Sequence, residues 1–184
     1  MLALFIATLV VLAVGSFYIQ TVRAWWLGQT QTDLRRLTGL VQQEMGRVIG
    51  PAVGLPPGSC GPAEATASLP VQLPAGALPD PLAGGGIVCF YRDPVNDQLV
   101  RCQIVPLGTT CIPGTEAELL TGTPTLNPIR LTDLPGEPNS GLVFSRAEGG
   151  GTWVDASLNV GAYGPDGTIQ VGPVSFSTRF AVRN

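Results

Sequence analysis

Histidine and lysine are both absent from this chain of 184 residues, and all ten basic residues are arginine. Without histidine the sequence cannot form a Ser-His-Asp triad or a histidine metal site, and the commonest general acid and base at neutral pH is missing. The remaining serines and carboxylates follow no pattern that indicates an active site. We therefore predict that the protein is not an enzyme and that it requires no cofactor.

Charge is also scarce, since charged residues make up 12% of the chain and the net charge is -3. Affinity for a nucleic-acid backbone requires a positive excess. We therefore expect no direct nucleic-acid binding. Glycine and proline are abundant, at 24 and 17 residues, and this abundance indicates a body rich in turns and β-strands.

The first 22 residues are nearly all apolar, and no charged residue precedes Arg23. A helix that crosses the hydrocarbon core of a membrane needs about 20 such residues. Trp25 and Trp26 follow at the depth of an interfacial aromatic belt. We interpret residues 1–22 as a half-helix that lies in a membrane or in the core of a filament. The side chains expected to make its contacts are Leu4, Phe5, Leu9, Leu12 and Phe17.

Two further hypotheses concern this segment. It could be a secretory signal peptide cleaved after Ala13-Val14-Gly15, but no basic residue precedes the apolar run, as a signal peptide would require. If Arg23 set the orientation, the rest of the chain would be cytoplasmic, which disagrees with the disulfides predicted below. A basic leader that once preceded Met1 and was removed after insertion would resolve this disagreement.

Residues 23–50 are predicted to continue the same helix with one apolar face. Leucine, valine and methionine recur there at steps of three and four, a spacing typical of an amphipathic helix. Gly50-Pro51 ends the run because proline cannot continue the backbone hydrogen bonds. The apolar face consists of Leu34, Leu37, Val41, Met45 and Val48.

We expect Gly15-Ser16 to loosen the first half of the helix locally in a packed assembly.

Residues 51–86 have many prolines and glycines without a clear period, and we interpret them as a surface connection. Residues 87–184 are predicted to form an antiparallel β domain, which makes the fold α+β. Its first hairpin should pair Tyr91 with Val100, Cys89 with Cys102 and Ile87 with Ile104, all on one face. Further strands are predicted over 129–133, 142–146, 152–160, 168–171 and 174–183.

The last strand is expected to cover the amphipathic half of the helix. Phe176, Phe180 and Val182 face one way, and they form the only clean apolar face long enough to cover Leu34, Leu37, Val41 and Met45. We also predict that this strand is interior to its sheet and pairs on both sides.

Four cysteines in a chain anchored in the cell envelope indicate two disulfides. The hairpin register favours Cys89–Cys102, because directly opposed strand residues meet disulfide geometry. Cys60–Cys111 would then tie the proline-rich connection to the sheet. Four free thiols in a reducing compartment are the alternative.

Metal binding is predicted to be absent, with one weak exception. Asp93, Asn96 and Asp97 offer oxygens of the kind that calcium prefers, and so do Asp133, Glu137 and Asn139. Acidic residues in turns more often cap the turn and face solvent.

The order of these parts resembles the type IV pilin-like superfamily. The segment ALFIATLVVLAV is similar to the start of the pilin helix. The segments QTDLRRLTGLVQQEMGRVIG and FSTRFAVRN resemble the later helix and the last strand of minor pilins and pseudopilins of the PilW and GspJ type. One departure is Phe5, because the family has a glutamate at its fifth mature position. Either this sequence starts just past the conserved end of the family pattern, or the chain is one of the members that lack this glutamate, so the residue is not assigned here.

The resemblance implies a minor pilin that assembles through its apolar half-helix, at the initiation or tip complex of a type IV pilus, with a pseudopilin of type II secretion as the alternative. Its expected partners are other pilin or pseudopilin subunits, the membrane and an inner-membrane assembly platform. The C-terminal domain would be periplasmic or extracellular before assembly, and the subunit would reach a cell-surface filament afterwards. A bitopic membrane protein that binds an extracellular ligand or belongs to a virion membrane is the alternative from another class.

Overall fold

A computed structural model describes residues 2–62, 65–76, 86–104, 111, 116–120, 129–146, 152–164 and 166–182. Within these residues one helix, α1 (Leu2–Ile49), precedes eight strands. The strands are β1 (Ser68–Leu73), β2 (Gly86–Asp93), β3 (Gln98–Ile104), β4 (Ala117–Glu118), β5 (Ile129–Leu131), β6 (Leu142–Arg146), β7 (Trp153–Tyr163) and β8 (Ile169–Ala181). The predicted α+β class, with a long N-terminal helix packed on antiparallel sheets, is confirmed.

The helix is uninterrupted over 48 residues, a length of about 72 Å at 1.5 Å per residue. The predicted loosening at Gly15-Ser16 is wrong, because helical structure runs through both residues. One glycine costs a helix interior only about 1 kcal/mol. The Ser16 hydroxyl donates to the Ala13 carbonyl at 2.9 Å without opening the helix.

The first sheet has the strand order β1-β2-β3-β4, and all its pairs are antiparallel. The predicted register of β2 and β3 is confirmed: Tyr91 pairs with Val100, Cys89 with Cys102 and Ile87 with Ile104.

Strand β1 lies inside the segment that the sequence analysis treats as a connection, so that interpretation is wrong for residues 68–73. Its Pro70 has no amide hydrogen to donate, and a proline within a run argues against a strand when only the sequence is considered. The structure accommodates Pro70 because β2 is the only named strand that pairs with β1 in the described chain.

In the second sheet β7 is the central strand. β8 pairs along one edge of β7, and β5 and β6 lie end to end along the other. Asn159 of β7 lies where the two short strands meet. Its side-chain amide donates to the Ser140 carbonyl at 2.6 Å, and its backbone carbonyl accepts from the Thr132 amide at 2.8 Å.

The expected interior position of the last strand is wrong, because β8 pairs only with β7 among the described strands. Its predicted packing is nevertheless present. Phe180 and Val182 are buried, and Phe176 is partly buried against the same core. That core also contains the helix residues Leu34, Val41 and Met45, with Leu37 packed at its margin.

Both disulfides differ from the predicted pairs. Cys60 is bonded to Cys89 and Cys102 to Cys111, with Cα–Cα distances of 5.9 and 5.6 Å. Each strand cysteine is therefore bonded to a cysteine outside the hairpin rather than to the residue opposite it. The sequence shows that Cys89 and Cys102 share a face, but it does not show that Cys60 and Cys111 also reach that face.

Candidate assembly and membrane-insertion surface

The first half of α1 is bare. Every described side chain from Ala3 to Gln29 is exposed except that of Val22, which is half-buried. No described part of the β domain covers this segment, so its apolar surface is available to lipid or to another protein. The five residues predicted to make those contacts are 52–71% exposed: Leu4, Phe5, Leu9, Leu12 and Phe17.

The threonine and serine hydroxyls in this half-helix donate to backbone carbonyls of the helix itself. The Thr8 hydroxyl donates to the Phe5 carbonyl at 2.8 Å, and the Thr21 hydroxyl donates to the Phe17 carbonyl at 2.8 Å. A helix also satisfies its own backbone groups, which is the condition for entering hydrocarbon. The segment can therefore leave water without stranding these polar groups.

The length of the bare segment matches a membrane. Residues 3–22 span about 30 Å at 1.5 Å per residue, the thickness of a hydrocarbon core. Arg23 follows, and the rings of Trp25 and Trp26 then meet edge to face, with centroids 5.5 Å apart. By length and composition this is the one helix in the described chain that could cross a membrane. It could therefore anchor the protein in a membrane.

The second half of α1 becomes buried at Thr30, not at residue 23. Thr30 and Thr38 are buried members of the packed face that the hydrophobic pattern misses. Each hydroxyl donates to the carbonyl four residues earlier, on Trp26 and Leu34, at 2.9 and 2.7 Å. Their spacing from Leu34 is four residues in each direction, and this spacing is the signal that could have identified them.

A polar contact fastens this half of the helix to the first sheet. Glu44 forms an ion pair with Arg101 of β3 and another, at 2.8 Å, with Arg47 on its own helix. The hydrogen bond from Arg47 lowers the pKa of Glu44, burial opposes this effect, and the charge of Arg101 lowers the pKa further. Glu44 therefore stays ionised where the helix meets the sheet.

The calcium candidates form a hydrogen-bonded turn. Asp93 accepts from the Val95 amide at 3.0 Å and from the Asn96 side chain at 2.8 Å. Asp97 accepts from Arg92 at 2.6 Å. In the described part of the chain, no three His, Cys, Asp or Glu residues are grouped so that they could hold a metal. These oxygens stabilise the turn.

Arg92 joins the two sheets. Its side chain is 10% exposed and donates to Asp97 of the hairpin and to Asp133 beyond β5, each at 2.6 Å. Asp133, from the second set of calcium candidates, also accepts from the Gly141 amide at 2.8 Å. This clamp fixes the relative position of the sheets that the helix packs against. The contact has no signal in the sequence, because 41 residues separate Arg92 from Asp133.

The variant Asp133→Asn is expected to lose about 1 kcal/mol of stability at pH 7, after allowance for solvent screening of this partly exposed group. Burial raises the pKa of Asp133, but the hydrogen bonds from Arg92 and the Gly141 and Asn139 amides outweigh burial and lower the pKa. A lowered folded-state pKa stabilises the protein above the unfolded pKa of about 3.9, and this stability is lost as the pH falls below it.

Urea unfolding from pH 7 to pH 3 measures the effect. The wild type and Asp133→Asn should converge as the pH falls below about 4. The control is Glu137→Gln, because Glu137 lies exposed in the same turn and forms no ion pair in the described structure. A constant difference between wild type and Asp133→Asn at every pH would show that the clamp does not depend on the charge of Asp133.

Comparisons with models of known protein families, with curated proteins and with solved structures return no match.

Proposed function

We propose that this protein is a minor pilin, a subunit of a type IV pilus that assembles through the apolar half of α1. The observation that supports the proposal is the contrast within one unbroken helix. Residues 3–29 are bare, whereas the described helix from Thr30 onward has one face buried against the β domain. We call residues 3–29 the rod, and the β domain together with the helix from Thr30 onward the head; the rod can reach other subunits.

The bare rod requires a cover. Burying one large apolar side chain is worth about 1.5–3 kcal/mol, so an exposed rod in water is strongly unfavourable. Lipid supplies a cover before assembly, and the rods of neighbouring subunits supply one afterwards. Because the rod carries no charge between residues 3 and 22, it can move from one environment to the other without stranding a charge.

The proposed cellular location of the protein follows from its apolar rod and its disulfide-bonded head. The rod would hold the subunit in the inner membrane, next to an assembly platform, until it joins the filament at the cell surface. The head carries two disulfides, which persist in oxidising compartments such as the periplasm and the exterior. The head would face outward in the filament and carry its specificity.

A membrane-anchored monomer is a second candidate. The match between residues 3–22 and the membrane thickness, followed by Arg23 and the tryptophan pair, fits a single span equally well. A pseudopilin of type II secretion would have the same geometry as a minor pilin. The two are therefore distinguished by whether the protein is needed for surface filaments or for secreted enzymes.

Photo-cross-linking at Leu12 of the full chain, in the cells that produce it, separates these candidates. The pilin proposal predicts cross-links from residue 12 to the apolar helix of another subunit, found in filaments that are sheared from the cell surface. The same cross-linker at Ile169, an exposed position on β8, is the control for random collision. Cross-links to lipid alone, with all of the protein left in the membrane after shearing, would contradict the proposal.

Deleting the gene distinguishes the two machineries. Loss of surface filaments supports the pilus, whereas loss of secreted enzymes with filaments intact supports a pseudopilin. Restoring the gene with Leu12→Arg should fail to restore either output, because arginine at the centre of a membrane helix costs about 2.5–3.5 kcal/mol. Ile169→Arg, on the surface of the head, should restore it.

A further inference from the structure

The four cysteines belong to one cluster on one face of the β2–β3 hairpin. Cys60, Cys89 and Cys102 are buried in contact with Tyr91 and Val100, and the half-buried Cys111 packs against them. The two disulfides are therefore neighbours rather than separate clips. The four cysteine side chains share one cluster, so an exchange of bonding partners can be considered.

The strand register places Cys89 and Cys102 directly opposite each other. Opposed residues of an antiparallel pair have Cα atoms about 4.5–5.5 Å apart, and a disulfide needs about 4.4–6.8 Å. The two side chains point to the same face. Their Cα separation is therefore within the range that a disulfide needs, although each cysteine is bonded elsewhere.

Cys60 is held in place by more than its disulfide. Its amide donates to the Ser68 hydroxyl at 3.0 Å. The next residue, Gly61, has a φ of +89° and lies so close to Tyr91 that an added Cβ would be 2.9 Å from the ring. A Cys60 thiolate released from its bond would therefore remain beside the hairpin, and the bond could form again.

We propose that this cluster is a redox-sensitive switch with two disulfide pairings. A dithiol of the thiol-disulfide oxidoreductase class first reduces Cys102–Cys111 and is itself oxidised to a disulfide. The Cys102 thiolate then attacks the Sγ atom of Cys89. The Cys89–Cys102 bond forms, the Cys60–Cys89 bond breaks, and Cys60 leaves as a thiolate.

The exchange itself changes neither the number of disulfides nor the oxidation state. Its structural result is that the connection between α1 and β1 is no longer tied to the hairpin at Cys60, while β2 and β3 become joined to each other. Without an isomerase the exchange should take minutes to hours, because the buried thiol forms its thiolate reluctantly. The switch would act on the connection that leads from the rod into the head.

Trypsin distinguishes the two pairings directly. The chain has no lysine, so cleavage after Arg47, Arg92, Arg101 and Arg130 places Cys60 and Cys89 in the peptide 48–92, and Cys102 and Cys111 in the peptide 102–130. The observed pairing leaves these two peptides separate. The exchanged pairing links them, and mass spectrometry of the unreduced digest detects the linked pair.

The test uses the full chain in detergent with Cys111→Ser, which leaves Cys102 as a free thiol. The expected result is a linked pair of the two peptides, with an equal loss of the separate 48–92 peptide that carries its internal bond. The matched control is Cys102→Ser, which leaves the free thiol on Cys111, outside the strand register, and should give separate peptides. Mixing ¹⁵N-labelled and unlabelled protein excludes links between molecules.

A second measurement covers the case in which Cys111→Ser fails to fold. Wild-type protein incubated with a substoichiometric dithiol, then alkylated and digested, should yield the linked pair together with alkylated Cys60 and Cys111. Separate peptides in both experiments would overturn the proposal. Equal linkage in Cys111→Ser and Cys102→Ser would also overturn it, because the exchange would then not depend on the strand register.

Discussion

Truncating Phe180 to alanine should lower the free energy of unfolding by about 3–5 kcal/mol. The side chain is 9% exposed, and its ring edge comes within 3.5 Å of the place where a Cβ on Gly46 would lie. The ring therefore lies in contact with the surface of α1 at Gly46. Removing the ring leaves a cavity between α1 and β8, because Leu34 and Met45 hold the helix in position elsewhere in the core.

Thermal or urea unfolding of the full chain in mild detergent, followed by circular dichroism, measures this loss. Ile169→Ala is the matched control, since Ile169 lies on the same strand and is 47% exposed, so its truncation should change stability by less than about 1 kcal/mol. Wild-type stability in Phe180→Ala would contradict the packing of β8 on the helix. It would also weaken the proposed function, which requires the head to be fixed to the rod.

The sequence was sufficient to predict which residues share one face of a strand or of the helix. Alternation along β2 and β3 determines which residues share a face, because a slip of one residue would reverse every side chain. The apolar face of α1 needs a cover of matching length, and Phe180 and Val182 supply it. These inferences use only the period of the apolar residues, which the sequence carries in full.

The parts that depend on edges and long-range contacts could not be predicted. The need to cover the helix explains which face of β8 is buried, but an edge strand satisfies it as well as an interior strand does. Similarly, a shared face brings Cys89 and Cys102 together without determining their bonding partners. The Arg92 clamp joins residues from different sheets, and neither alternation nor spacing indicates such a contact.

The candidate assembly surface was more predictable than the clamp. An uncharged apolar run of this length is unfavourable in water. The sequence therefore indicates that it lies in lipid or among other helices. The structure adds that the run stays bare as far as Gln29 and that its threonine hydroxyls bond within the helix. The boundary at Thr30 was missed because threonine is not counted among apolar residues, although its methyl group packs as one.

A truncated chain that begins at Gln29 is expected to be soluble without detergent, monomeric and rich in β structure, whereas the full chain remains with the membrane. The described side chains that the truncation removes are exposed, apart from the half-buried Val22. It takes away the hydrogen bonds from the Thr30 and Thr32 hydroxyls to the Trp26 and Gly28 carbonyls, together with the backbone bonds of one helical turn. The free energy of unfolding should therefore change by no more than about 1 kcal/mol.

Analytical ultracentrifugation and circular dichroism of the truncated chain measure these properties. Leu34→Ala in the truncated chain is the internal control. Leu34 is fully buried, so its truncation should cost about 2–5 kcal/mol if the remaining helix still packs on the sheets. An unfolded or aggregated truncated chain would mean that the bare half of α1 supports the head. The division of one helix between two environments, on which the proposed function rests, would then be wrong.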